Sequence, residues 1–130
     1  MAATGCIIES PLDSYPKEAR NDKSAAFVKR LNEIILEKMS DRDFNVEILV
    51  KEFATNRSDF QKKVKKITGM TPNDYIRLVR LKKSVQLLAT GDYKINEVCA
   101  IVGFNSPSYF SKCFYEQYGK LPKDYMNTTK

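Results

Sequence analysis

Histidine and tryptophan are both absent from this 130-residue chain. Without histidine the commonest metal ligand is missing, and so is the side chain that most readily moves protons near neutral pH. Cysteine is scarce. Cys6, Cys99 and Cys113 are too few and too scattered for a disulfide framework, and no paired spacing suits a zinc site. No phosphate-binding glycine loop and no convergent carboxylates are present, so the sequence offers nothing that could hold a catalytic constellation. An enzyme is not expected, and neither is a metal or cofactor site. No apolar run approaches the roughly 18 residues of a membrane span, and the N-terminus lacks the apolar core of a signal peptide. A reducing, cytoplasmic setting without membrane contact follows as the expectation, with Cys99 and Cys113 as small core residues.

What is present is positive charge in one place. The chain carries 22 Lys and Arg against 16 Asp and Glu, a net of +6. Residues 1–52 hold 8 basic and 10 acidic groups, and residues 91–130 hold 5 and 4. Residues 53–90 hold 9 basic groups against Asp59 and Asp74 alone. That middle third is more positive than the whole protein. A charge run is usually a solvated face, so nucleic acid is only one of its readings.

The second feature is a repeat. Val46-Glu47-Ile48-Leu49-Val50, Asn56, Phe60, Val64, Gly69, Pro72 and Asp74-Tyr75 recur as Ile95-Asn96-Glu97-Val98-Cys99, Ser106, Phe110, Phe114, Gly119, Pro122 and Asp124-Tyr125. The offset is 49 residues before the short break in each copy and 50 after it. Each copy reads as a short apolar helix, a tight turn and a longer helix with a polar outer face, the outline of a helix-turn-helix. Repeats decide architecture before local propensity does.

The pattern predicts an all-α domain of about seven helices over residues 24–130, preceded by a linker or disordered tail over 1–23. The abrupt start before the first helix reads as a fragment of a longer regulator. Ser24 opens an amphipathic helix to about Met39, with Phe27, Leu31, Ile34, Ile35 and Met39 on one stripe. Val46 to Phe53 is the first short helix. Asn56 caps the next, and Asp59 three residues on completes a variant capping box. Gly69 ends it, and Thr71-Pro72 starts a long connecting helix to about Ala89, roughly 27 Å if regular. Ile95 to Val102, Ser106-Pro107 to Tyr118, and a last turn from Pro122 to Met126 repeat the scheme. The glycines and prolines are punctuation. Phe104, Tyr109, Phe110, Phe114 and Tyr118 form an aromatic stripe expected in the core.

Aligning the caps Asn56 and Ser106 puts Phe60 and Phe110 inward at the same position. The opposite stripe is Arg57, Ser58, Gln61, Lys62 and Lys65 in the first copy. In the second it is Pro107, Ser108, Ser111, Lys112 and Tyr115. Both lie at i, i+1, i+4, i+5 and i+8, one face of a helix. Gln suits adenine N6 and N7, Lys and Arg suit guanine or phosphate, Ser suits either, and Tyr suits phosphate or a thymine methyl. Taken individually, Lys63, Lys65, Lys66, Arg77 and Arg80 read as solvated or phosphate-facing groups rather than base readers.

At these residues the chain resembles the AraC/XylS-type transcription regulators. Ile95, Gly103-Phe104, Tyr109-Phe110-Ser111, Phe114, Gly119, Pro122 and Tyr125 look like their C-terminal signature. The first copy and Tyr75-Ile76-Arg77 to Arg80-Leu81 look like the rest of that domain. The segment from Phe27 to Phe44 further resembles output domains at the end of Bacteroidetes hybrid two-component sensor-regulators. The resemblance implies two helix-turn-helix units joined by the long helix, with recognition helices in successive major grooves of double-stranded DNA. It also implies RNA polymerase as a further partner and an upstream sensory or receiver domain in the full-length protein. Ser58, Gln61, Lys62, Pro107, Ser108, Ser111 and Lys112 match positions that contact bases or backbone in such regulators. Three departures stand out. Ala54 replaces a turn glycine at a cost of about 1 kcal/mol if its φ is positive. Val50 and Cys99 replace a small alanine, and no sensory domain is included. The competing function is a helical protein-interaction module whose basic central face docks an acidic partner.

Overall fold

The computed structural model describes residues 22–41 and 43–129. Seven α-helices and no strand occur among the described residues: α1 (Asp22–Lys38), α2 (Val46–Glu52), α3 (Arg57–Thr68), α4 (Pro72–Thr90), α5 (Ile95–Val102), α6 (Pro107–Tyr118) and α7 (Pro122–Thr129). The all-α expectation and the two helix-turn-helix units stand. Most of the expected tail, and Cys6 with it, lies outside the described residues. Asp22 and Lys23, assigned to that tail, already belong to α1. The chain divides into two compact units. One contains α1, α2, α3 and the start of α4 through Val79; the other contains residues 39–41 and everything described from Arg80 onward.

In the first unit the apolar stripe of α1 is buried, with Val28, Leu31 and Ile35 no more than 1% exposed. Leu49 and Val50 of α2, Phe60 and Val64 of α3, and Tyr75 and Ile76 of α4 are buried in the same unit. Three rings knit the helices at the turn: Phe27 lies 4.9 Å from Phe53 and 6.4 Å from Phe60, and Phe53 lies 5.6 Å from Phe60. Rings at these separations gain beyond their area burial, about 0.5–1.5 kcal/mol per pair. The Tyr75 hydroxyl donates to the Asn32 side-chain carbonyl, so the one polar atom of that buried ring is satisfied.

The second unit is built on Leu81, Val85 and Leu88 of α4 with Val98, Val102, Phe104, Phe110 and Phe114, all buried. Cys99 and Cys113 are buried free thiols, as expected of small core residues. The Cys99 thiol also donates to the Phe104 carbonyl at 3.6 Å, and burial pushes its pKa up. The aromatic stripe needs one correction. Phe104, Phe110 and Phe114 are buried and Tyr118 is half-buried, but Tyr109 is 47% exposed. It precedes Phe110 on α6 and is therefore rotated about 100° away from the core-facing line. Its ring centre lies 5.8 Å from that of Phe104.

The turns of the two copies hold a left-handed residue at equivalent positions. Gly103 ends α5 at φ 92°, and a Cβ there would stand 1.9 Å from the Met39 carbonyl oxygen. Glycine is required twice over, by backbone conformation and by space. In the first copy α2 ends at Phe53, and Ala54 takes the left-handed conformation at φ 52°. Its φ is positive, so the turn keeps its shape at the expense of strain in an alanine.

Candidate nucleic-acid interface

Each outer helix is started by a side-chain cap. The Asn56 carbonyl oxygen accepts from the Asp59 backbone N–H at 2.8 Å, and the Ser106 hydroxyl accepts from the Tyr109 N–H at 3.1 Å. Both satisfy a donor left over at a helix start. The capping box is altered in detail. The Asp59 carboxylate accepts from the Asn56 side-chain amide at 3.0 Å, so the two side chains brace each other. At their far ends α3 and α6 stop on Gly69 and Gly119, both left-handed at φ 78° and 77°. Two twelve-residue helices are cut by the same devices.

With those ends set, the outer stripes follow. Arg57, Ser58, Gln61, Lys62 and Lys65 of α3 are all exposed, against buried Phe60, Val64 and Ile67. On α6, Pro107, Ser108 and Lys112 are exposed, Ser111 is half-buried, and Tyr115 is 55% exposed. The structure therefore puts each expected set on one helix face. It also brings Gln61, Lys62 and Lys65 together along an open groove of about 310 Å³, lined as well by Thr71 and Pro72 at the start of α4. The Thr71 hydroxyl caps that helix by accepting from the Asp74 N–H at 3.2 Å.

The cations of the middle third are not equivalent. Arg57 is bound to the Glu47 carboxylate on α2. Arg77 pairs with Asp74 one turn back. Lys63 turns toward α1, its ammonium 4.7 Å from the Phe27 ring centre, a cation–π arrangement. Arg80 is half-buried, and desolvation lowers its pKa. Among the described residues no carboxylate pairs with Lys62, Lys65 or Lys66. These three lysines of α3 are all exposed, so their charge faces solvent. Charge along the sequence does not distinguish them from Lys63, which differs in having a ring beneath it.

Sequence reasoning missed Tyr109 as an exposed group next to the α6 stripe. The repeat held a signal for it, since Tyr109 aligns with Asp59, and a position occupied by a charged cap in one copy is a poor core position in the other. The ion partner of Arg57 was also missed. Glu47 is ten residues away on another helix, and no local spacing rule connects them.

Residues 49–128 match the family described as a helix-turn-helix domain. The chain belongs to that family, in its AraC type. Such AraC-type domains are DNA-binding domains of transcription regulators and not an enzyme class. One relative of this AraC-type chain is histidine kinase P4 of Formosa agariphila, 36% identical over 77% of the chain and 7% of that protein. The chain spans less than half the length of the curated relatives it matches. Among solved structures, the DNA-binding domain of AdpA in complex with a target DNA is 28% identical with a TM-score of 0.70, covering 77% of this chain and 89% of that one. The C-terminal domain of the two-component response regulator YesN from Fusobacterium nucleatum is 28% identical with a TM-score of 0.68, covering 75% and 95%. No described helix is long and apolar enough to cross a membrane.

Proposed function

We propose that α3 and α6 are the reading helices of a sequence-specific double-stranded DNA binder, one helix to each of two successive major grooves. The observation that carries this is the matched pair of solvent-facing stripes, cut to the same register by Asn56 and Ser106. In this reading Gln61 addresses an adenine edge. Lys62 and Lys65 address guanine or phosphate, and Arg57 addresses a guanine edge. Ser58, Ser108 and Ser111 supply small donors and acceptors, Pro107 supplies apolar contact, and Lys112 and Tyr115 grip the second groove and its backbone. The domain is the output module of a longer cytoplasmic regulator in a two-component pathway. The kinase relative, the response-regulator neighbour and the short span of the chain within its relatives support that reading. A sensory or receiver domain then precedes it, and RNA polymerase is the partner at the promoter.

The test is fluorescence anisotropy on a random duplex across a salt series, followed by selection of bound sequences from a random library. With five or so lysines and arginines meeting phosphates, log K falls against log salt with a slope of about −5. Selection then converges on one motif with two half-sites about one helical turn apart. A slope near zero would exclude duplex DNA and favour an acidic protein partner for the basic face.

A further inference from the structure

We infer that Glu47 is a positioning residue for the reading helix, holding the Arg57 guanidinium away from phosphates and so favouring selectivity over backbone grip. This role rests on the DNA-binding reading. Arg57 occupies the first position of α3, and its guanidinium is bound to the Glu47 carboxylate in the first turn of α2. Both side chains are about half exposed, at 50% and 54%. An exposed ion pair contributes little to folding stability, so stability gives a weak reason for placing an acid beside a reading face.

The pair is well anchored. The α2 start is held by the Asn45 side chain accepting from the Ile48 N–H at 3.3 Å, and by buried Val46, Leu49 and Val50. The α3 start is held by the Asn56 cap. The carboxylate is itself favoured at a helix start, where the dipole is positive. Arginine carries five donors in a fixed fork, and a carboxylate on one edge leaves the other edge for a base. The second copy has no counterpart, since Asn96 aligns with Glu47 and Pro107 with Arg57. Only the lysine-rich helix carries this restraint, and it is the helix with excess sequence-independent attraction to limit.

The experiment compares wild type, Glu47→Gln, Arg57→Ala and the double variant, with Glu52→Gln as control. Glu52 is on the same helix and pairs with Arg30 of α1 at 3.9 Å. Each is measured on random duplex and on a selected sequence across a salt series, with a thermal melt. Glu47→Gln should tighten random-duplex binding several-fold, steepen the salt slope by about one, and narrow the selected-to-random ratio several-fold. Its melting temperature should barely move. In the Arg57→Ala background the same change should have no effect, and Glu52→Gln should leave the slope alone. A Glu47→Gln slope and ratio equal to wild type overturn the positioning role, as does an effect that persists without Arg57. If wild type binds no duplex at all, the DNA reading fails and this role with it.

Discussion

Ala54 holds a left-handed φ of 52° where the other copy has Gly103 at 92°. An L-residue in that region costs about 1–2 kcal/mol. Glycine would remove the strain but adds freedom to the unfolded chain, worth about 0.4–1 kcal/mol in the other direction. Strain is the larger effect, so Ala54→Gly should stabilise by about 0.5–1 kcal/mol, read as a shift in urea midpoint at constant m-value. A loss of stability would mean that the turn is not strained. Gly103→Ala should do the reverse and more, because its Cβ would collide with the Met39 carbonyl. A second residue-scale prediction concerns Tyr118. Its hydroxyl is buried and has no hydrogen-bond partner among the described residues. Burial first, and the neighbouring Tyr125 second, push its pKa above the ordinary tyrosine value of 10.0. The folded state therefore keeps a proton that the unfolded chain releases. Stability from this source is full below about pH 10 and is lost as pH rises toward the higher folded value. Tyr118→Phe should leave stability unchanged or raise it by up to about 1 kcal/mol at neutral pH. It should also flatten the alkaline decline in melting temperature; an unaltered decline would place its cause elsewhere. Neither hydroxyl burial nor the Glu47 ion pair could be read from sequence, since both depend on which distant helix lies opposite.

At the scale of helices, most was legible. The caps Asn56, Thr71 and Ser106 and the stops Gly69 and Gly119 act through chemistry confined to four or five residues, and the structure has each of them in place. The start of α1 was less so, because Asp22 and Lys23 lie ahead of the apolar stripe, which begins only at Phe27. Periodicity separated inside from outside on α3 and put Lys62 and Lys65 on the stripe, but it could not show the Phe27 ring beneath Lys63. Lys62 lies on the reading stripe and lines the groove with Gln61 and Lys65. Lys66 is exposed in the last turn, outside that stripe. Lys62→Ala should therefore cost about 1–3 kcal/mol on a selected sequence and relax preference at one base pair. Lys66→Ala should weaken all duplexes alike and reduce the salt slope by about one. Anisotropy on a set of single-base variants distinguishes the two. Equal, sequence-independent losses from both would remove Lys62 from the base-reading set.

For the whole molecule, the two copies share a backbone plan but not a charge plan. The twelve residues of α3 include Arg57, Lys62, Lys63, Lys65 and Lys66 against Asp59 alone, while α6 has Lys112 and Glu116. Even after Glu47 occupies Arg57 and Phe27 draws in Lys63, three exposed lysines remain on α3 against one on α6. Phosphate attraction scales with the number of cations engaged, so α3 should supply most of the sequence-independent grip. The other helix offers Ser108, Tyr109, Ser111 and Tyr115, groups that orient and discriminate but add no charge. On random duplex, Lys62→Ala should therefore weaken binding without abolishing it. Lys112→Ala should act mainly on the selected sequence, lowering the selected-to-random ratio while leaving most random-duplex affinity in place. If Lys112→Ala abolished binding to every duplex and Lys62→Ala left it intact, the grip would reside in the second unit. Charge along the chain would then be no guide to how the domain divides its work.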